Sequence, residues 1–333
     1  MQHGANIYKY AKELTCKPEE IIDFSSNINL YQPPVDFCAN TALITKYADT
    51  NYTTLKDVIA KNYKLKQEHI TLYNGATSAI YALLASLKSK EVYLYAPLYG
   101  EYEKAALAAK KDIYKINRIE DIDAPVAKKS IVIFVNPSTP EGSYYDLDEL
   151  FLLWKKKKCT IILDESFIEF EAHKSLRNQI IDYKKLYIVH SFSKFYACAG
   201  VRIGAIFTHK KNGKLLNPPL WNISSLDSAF LTQRLSDEAF KTQTLTYHKE
   251  QKQQLKTILK ESQLFDVIVE SDTNFILVQS SQADKIFTHL LKYKILVRRC
   301  ESFDFLDKSW LRFAVKDKEA HNHLKEGLQA YKH

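Results

Sequence analysis

Along the middle of the chain, short and nearly unbroken apolar runs alternate with longer stretches whose apolar positions recur at helical spacing. The runs are EVYLYAP (Glu91 to Pro97), SIVIFVNP (Ser130 to Pro137), CTIILDE (Cys159 to Glu165), LYIVHSF (Leu186 to Phe192) and VRIGAIF (Val201 to Phe207). Each is rich in β-branched and aromatic residues and short, as a strand covered on both faces would be. The helical stretches Thr77 to Lys88, Gly100 to Ala109 and Asp146 to Lys157 lie between several of them. This alternation predicts an α/β fold with a mostly parallel sheet flanked by helices.

The pattern changes after Pro218-Pro219. Ser224 to Ser262 is long, polar and helix-compatible, without an internal Gly or Pro. Behind it come VIVE and NFILVQ, a helical stretch at about Gln282 to Tyr293, the strands ILVRR and WLRFAV, and a closing helix from Asp317. A smaller α+β domain is expected there. The expected divisions are an N-terminal arm over 1–44 that packs with the small domain, a large domain over 45–222, and a linking helix plus small domain over 223–333.

Length and composition agree with two cores. The 333 residues are too many for one simple core, and 46% apolar with 26% charged is ordinary for a globular protein. Only 8 Gly and 9 Pro argue against long disordered linkers. The net charge of +8 invites a nucleic-acid reading, but the lysines are dispersed and no recognition motif accompanies them. The block Lys155 to Lys158 reads as the last turn of a helix, where cations suit the dipole. Five cysteines, with no CxxC pair, argue against a disulfide framework and against a zinc site, so no metal is expected. The N-terminus lacks the apolar core of a signal peptide and no apolar run approaches membrane-spanning length, so a cytoplasmic location is expected.

Ligands of open α/β sheets bind beyond the carboxyl ends of the strands, so the residues there carry the candidate chemistry. After Tyr73 comes NGATSA: a turn at Asn74-Gly75, then Thr77 and Ser78 opening a helix, which suits a phosphate but equally an ordinary cap. Tyr99 follows the EVYLYAP strand and could cover a flat ring, or be core. Asn136 and Thr139 sit in the NPSTPEG turn. Asp164 ends CTIILDE, where a carboxylate is costly unless paired, either with a cationic ring nitrogen or with a nearby Arg or Lys. Ser191, Ser193 and Lys194 follow LYIVHSF; a partly desolvated lysine there would have a lowered pKa and suit Schiff-base chemistry. Arg202 could clamp a phosphate. One cofactor, pyridoxal phosphate, accounts for all of these together.

NGAT, Tyr99, NPSTPEG, DESF and SFSK with its following arginine resemble the fold type I, aspartate-aminotransferase-like pyridoxal-phosphate enzymes over nearly the whole chain. HGAN, DFSSNIN, DESFIEF, SFSKFYACAGVRIG and ILVRRCESFDFLDKSWLRFAV resemble the L-threonine-O-3-phosphate decarboxylase branch more than the histidinol-phosphate aminotransferase branch. The resemblance implies Lys194 as the covalent anchor, Asp164 at the pyridine nitrogen and Tyr99 stacked on the ring. Gly75, Ala76, Thr77, Ser191, Ser193 and Arg202 would hold the phosphate, and Asn136 and Thr139 would lie near the ring oxygen. Tyr47 would reach the neighbouring subunit's phosphate in a homodimer with shared sites. Arg298 and Arg312 would bind the anionic groups of a phosphorylated amino acid, with His3, Gly4 and Asn29 on an arm above it. The implied reaction is decarboxylation of threonine phosphate, or serine phosphate, to an amino-alcohol phosphate for the cobalamin nucleotide loop; the alternative is an aminotransferase of the histidinol-phosphate type. Three positions depart from the family pattern: Thr139 where most relatives have Asn, Phe167 where most have Tyr, and Ala48 where Pro is common.

Overall fold

The computed structural model describes residues 6–33 and 41–331. The first described elements are α1 (Ile7–Leu14), β1 (Ile22–Asp23), α2 (Ala42–Thr45) and α3 (Thr53–Tyr63). Next come β2 (Ile70–Asn74), α4 (Gly75–Ser86), β3 (Glu91–Ala96), α5 (Glu101–Ala108), β4 (Asp112–Asn117), β5 (Ile131–Val135), α6 (Asp148–Lys156), β6 (Thr160–Asp164), β7 (Leu186–Ser191) and β8 (Ile203–Thr208). The remainder is α7 (Ser225–Ser236), α8 (Glu238–Ser262), β9 (Val267–Ile268), β10 (Phe275–Gln279), α9 (Ala283–Lys292), β11 (Ile295–Leu296), β12 (Arg298–Arg299), β13 (Trp310–Ala314) and α10 (Lys318–Ala330).

Seven strands form one sheet in the order β2-β8-β7-β6-β5-β3-β4. Neighbours from β7 through β4 are parallel, whereas β8 runs antiparallel to both β7 and β2. The fold is therefore α/β with a mostly parallel sheet flanked by helices. Every residue of β5, β7 and β8 is buried, which explains why these segments read as continuous apolar runs rather than alternating ones. The helices seal the faces with their apolar stripes. On α6, Leu150, Phe151 and Trp154 are buried, and the Trp154 indole donates to Tyr95 Oη at 3.0 Å. Burying one such ring contributes roughly 2–3 kcal/mol.

The sequence pattern missed β4 because DIYKIN lies at the sheet edge, pairs on one side only and is largely exposed. The expected long element over Ser224 to Ser262 is two helices. Asp237 breaks it: its backbone is extended, and its carboxylate accepts from Ala239 N at 3.1 Å and Phe240 N at 3.2 Å, capping α8. ILVRR is likewise not one strand. Ile295 and Leu296 pair in parallel with Ile22 and Asp23, while Arg298 and Arg299 pair with β13.

A second, antiparallel sheet has the order β12-β13-β10-β9. Its core gathers Phe24, Leu255, Leu259, Ile286, Leu290 and Phe313 with the α1 residue Ala11. No described helix is long and apolar enough to cross a membrane.

Candidate active site

The carboxyl ends of the parallel strands converge on a cavity of about 270 Å³. β8 contributes at the same rim because it is antiparallel: its first residue, Ile203, pairs with Asn74, the last of β2. Arg202 therefore stands beside the start of α4. Two glycines allow this. Gly75 adopts φ +77°, and a Cβ there would lie 2.7 Å from Arg202 Nη2. A Cβ on Gly204 would lie 2.3 Å from Ala76 N, so the helix start can press onto β8 only because Gly204 is bare. Thr77 and Tyr99 share a hydrogen bond at 3.4 Å between their hydroxyls.

The loop leaving β7 adds Ser191, Ser193 and Lys194 to the lining. The Ser193 hydroxyl is buried and, among the described residues, has no hydrogen-bond partner, an orphaned donor at the cavity wall. Burial lowers the Lys194 amine from its ordinary 10.5 to about 8; the charges of Arg312 and Arg202 add to this and Asp164 partly opposes it. Asp164 is buried at the end of β6. Its Oδ2 accepts from Tyr102 Oη at 2.8 Å and its Oδ1 from Ser166 N at 2.9 Å.

At the other end stand two guanidinium groups. Arg298 and Arg312 are directly paired across β12 and β13, so their side chains share one face. Arg312 Nη1 donates to Thr139 Oγ1 at 3.0 Å and Nη2 to Ser25 O at 3.3 Å; its Nε is buried and, among the described residues, unpaired. Burial lowers its pKa to about 10, aided by the Arg298 charge, so it stays protonated at neutral pH. Arg298 donates to Ser302 Oγ at 2.7 Å and lies over the Phe303 ring. Among the described residues neither arginine has a carboxylate within ion-pair distance. The Thr139 turn is held from behind by the buried pair Arg118–Glu141, at 2.6 Å, with Arg118 Nη2 donating to Thr139 O at 3.1 Å.

The cavity thus brings together Ala76, Thr77, Tyr99, Thr139, Asp164, Ser191, Ser193, Lys194, Arg202, Arg298 and Arg312, with Phe167 also in its wall. Asn136 does not line it. Both ends of its amide are occupied by Tyr145, whose O accepts from Nδ2 and whose N donates to Oδ1, each at 2.9 Å. Asn29 does not line it either: its Nδ2 donates to Phe195 O at 2.7 Å and its Oδ1 accepts from Tyr31 N at 3.0 Å. Gly75 lies behind Arg202. Tyr47 is 80% exposed and stacked on Trp221 at 4.5 Å, away from this chain's own cavity. His3 and Gly4 lie outside the described residues.

Sequence reasoning missed Ser25, Ser26 and Asn27, which line the cavity in place of Asn29. It also missed Ser166, Phe303 and Tyr102. The strand-end rule could have reached Ser166, two residues beyond Asp164, but gave no access to Ser25 to Asn27, which follow β1, or to Phe303, which follows β12 of the second sheet.

This fold and this donor set are those of a pyridoxal-phosphate enzyme. Residues 4–328 match the family of class I and II aminotransferases, and the chain belongs to it. It is 28% identical to the adenosylcobalamin biosynthesis bifunctional protein CobDQ of Leptospira interrogans, over 96% of this chain but only 39% of that one. The threonine-phosphate decarboxylase of Salmonella typhimurium is 24% identical, with 98% of this chain and 95% of that one covered. Among solved structures, the histidinol-phosphate aminotransferase of Clostridium acetobutylicum superposes with a TM-score of 0.80 at 28% identity, covering 93% of this chain and 98% of that one. The cofactor is pyridoxal phosphate. The orphaned Ser193 hydroxyl, the glycine-lined approach of Arg202 to α4 and the depressed Lys194 amine all fit it.

Proposed function

We propose that this chain decarboxylates L-threonine O-3-phosphate, or serine phosphate, to an amino-alcohol phosphate, serving the cobalamin nucleotide loop. The observation that carries this reading is the Arg298–Arg312 pair. Two buried cations without a carboxylate partner call for an anionic ligand, and threonine phosphate brings a carboxylate and a phosphate. Histidinol phosphate brings one anion.

Lys194 is the residue that would hold pyridoxal phosphate covalently. Ser191, Ser193, Arg202, Thr77 and the free N–H groups opening α4 would take its phosphate, Tyr99 would cover its ring, and Asp164 would keep its nitrogen protonated. When bound, the cofactor supplies an electron sink for whichever bond at the substrate Cα is cleaved. Arg298 and Arg312 choose that bond by fixing carboxylate and phosphate. After CO₂ leaves, the Lys194 amine, its pKa lowered to about 8, would deliver the proton that Cα needs. Thr139, which accepts from Arg312, keeps its hydroxyl proton free to donate to the ring oxygen. Phe167 offers no such bond.

We also propose a homodimer in which Tyr47 completes the neighbouring phosphate site. Tyr47, Trp221 and Leu220 form an exposed aromatic and aliphatic patch, and Arg202 is open to solvent in the single chain.

A second reading, an aminotransferase, draws on the same arginine pair, which would equally hold a dicarboxylate amino acceptor. Incubation with O-phospho-L-threonine decides between them. Release of CO₂ and aminopropanol phosphate supports the decarboxylase; conversion of the cofactor to its amine form, with a keto acid product, supports the aminotransferase.

A further inference from the structure

Five residues beyond Asp164 another carboxylate, Glu169, is buried outside the cavity. Its Oε1 accepts from Tyr63 Oη at 2.9 Å and from Tyr196 Oη at 2.8 Å. Its Oε2 faces His190 Nε2 at 3.3 Å. Tyr63 Oη also lies 2.9 Å from that His190 nitrogen. Phe192 and Phe207 close the cluster, and the Arg177 guanidinium covers the Tyr63 ring. Burial alone would raise the Glu169 carboxyl, but the hydrogen bond and charge of His190 override it and hold it at about 2.

A buried carboxylate with three partners is costly to assemble, and replacing such a cluster by apolar side chains is often neutral or stabilising. Stability is therefore a poor reason for it. The chain path offers a better one. His190 is the residue before Ser191, and Tyr196 is two residues after Lys194. One carboxylate grips both limbs of the loop that carries Ser191, Ser193 and Lys194. Asn29 adds a third tie, its N donating to Lys194 O at 3.0 Å and its Nδ2 to Phe195 O at 2.7 Å.

We propose that Glu169, acting through His190 and Tyr196, is the positioning residue of the anchor-lysine loop and fixes where the Lys194 amine stands relative to Asp164 and Arg312. This rests on reading Lys194 as the cofactor anchor. A displacement of about 1 Å at such a group costs on the order of 10²-fold in rate, so a rigid frame has value that a stability measurement would not register.

The full chain, loaded with pyridoxal phosphate, provides the test through two readouts besides turnover: the pH midpoint of its absorbance change and the dissociation constant for the cofactor. Tyr63→Phe and Tyr196→Phe each remove one hydroxyl from the same carboxylate, but only Tyr196 lies on the loop. The charged groups nearest the amine, Arg312, Arg202 and Asp164, are untouched in both. Tyr196→Phe is expected to move the midpoint by about half a pH unit or more. It is also expected to weaken cofactor binding by about fivefold or more, about 1 kcal/mol. Tyr63→Phe also loses contacts to His190 Nε2 and, at 3.2 Å, to the Tyr196 hydroxyl, so it should move the midpoint by clearly less than Tyr196→Phe does, despite a comparable loss in melting temperature. Equal shifts in the two variants, or no shift in either, would overturn the proposal. Glu169→Gln, where it folds, should shift the midpoint as Tyr196→Phe does, and the double variant should add little; full additivity counts against the clamp. Borohydride reduction and peptide mass analysis of the wild type keep the two readings apart. A label absent from Lys194 sinks the anchor assignment, whereas a label on Lys194 with equal midpoints sinks only the positioning role.

Discussion

At the amino-terminal rim of the large sheet, each of β3 to β7 is preceded within two residues by a lysine: Lys90, Lys111, Lys129, Lys158 and Lys185. Several ammonium groups in these loops are paired with loop carbonyls. Lys111 donates to Leu87 O and Ser89 O, Lys157 to Val126 O at 2.7 Å, and Lys185 to Lys158 O at 2.9 Å. These carbonyls lie where α4 and α6 end and where loops turn into strands, so the cations meet the negative ends of helices. At the carboxyl rim the situation is reversed. Among the described residues, the Ser193 hydroxyl and Arg312 Nε are buried without partners, and Lys194 is desolvated and feels the charges of Arg312 and Arg202. The first rim pairs several of its ammonium groups with carbonyls, whereas the second keeps buried polar atoms without a partner, a difference expected between a scaffold and a site.

The sharpest way to break this contrast is Lys194→Ala. Activity should fall by on the order of 10³-fold or more, and the visible absorbance of the loaded protein should vanish, since among the described residues no other amine lines the cavity. Retained colour and turnover would make Lys194 an ordinary rim lysine. Next in size is Arg312→Ala, which removes a buried cation held by Thr139 and the Ser25 carbonyl. A loss of kcat/KM of about 10²-fold is expected, carried mainly by KM for the anionic substrate. Arg312→Lys should recover little of it, because an ammonium cannot reproduce the two-pronged geometry.

How much of this was legible in the chain follows from what each residue contacts. Asp164, Lys194 and Tyr99 could be found because strands buried on both faces announce themselves as apolar runs, and the rim residue follows by position. β4 was invisible because an edge strand need not be apolar. Asn136 and Asn29 sit where a ligand-facing role was reasonable, yet local backbone groups claimed their amides, and nothing in composition tells an asparagine bonded to Tyr145 from one open to a cavity. Ser25 and Phe303 come from segments distant in sequence, brought in only by the pairing of β1 with β11 and of β12 with β13. The division of ILVRR between two sheets is a tertiary decision of the same kind.

A third test concerns the cost of the site to the fold. The Lys194 amine has a pKa of about 8 in the folded state against an ordinary 10.5, so the unfolded chain binds the proton more readily. The penalty is fully present below pH 8 and disappears as pH rises towards 10.5. Cofactor-free Lys194→Met should therefore be more stable than wild type at pH 7, by on the order of 1–3 kcal/mol, with the gap closing between pH 8 and 10.5. Denaturant melts across that range measure it. A gap that stays constant with pH would mean that packing, not desolvated charge, separates the two proteins.

The smallest expected effect lies at the other rim. Lys111→Met keeps the apolar stem and removes the ammonium that serves Leu87 O and Ser89 O. Burial lowers this amine's pKa too, so part of the gain from those bonds is offset by desolvation. A net loss of about 1 kcal/mol is expected, seen as a lower denaturation midpoint with unchanged cofactor spectrum and unchanged kcat/KM. The comparison is sharpened by its sign: the same substitution chemistry, lysine to methionine, should destabilise at the satisfied rim and stabilise at the unsatisfied one. If both substitutions moved stability in the same direction, hydrogen-bond satisfaction would not be what divides the two rims, and the unpaired groups around Lys194 would lose their standing as marks of a binding site.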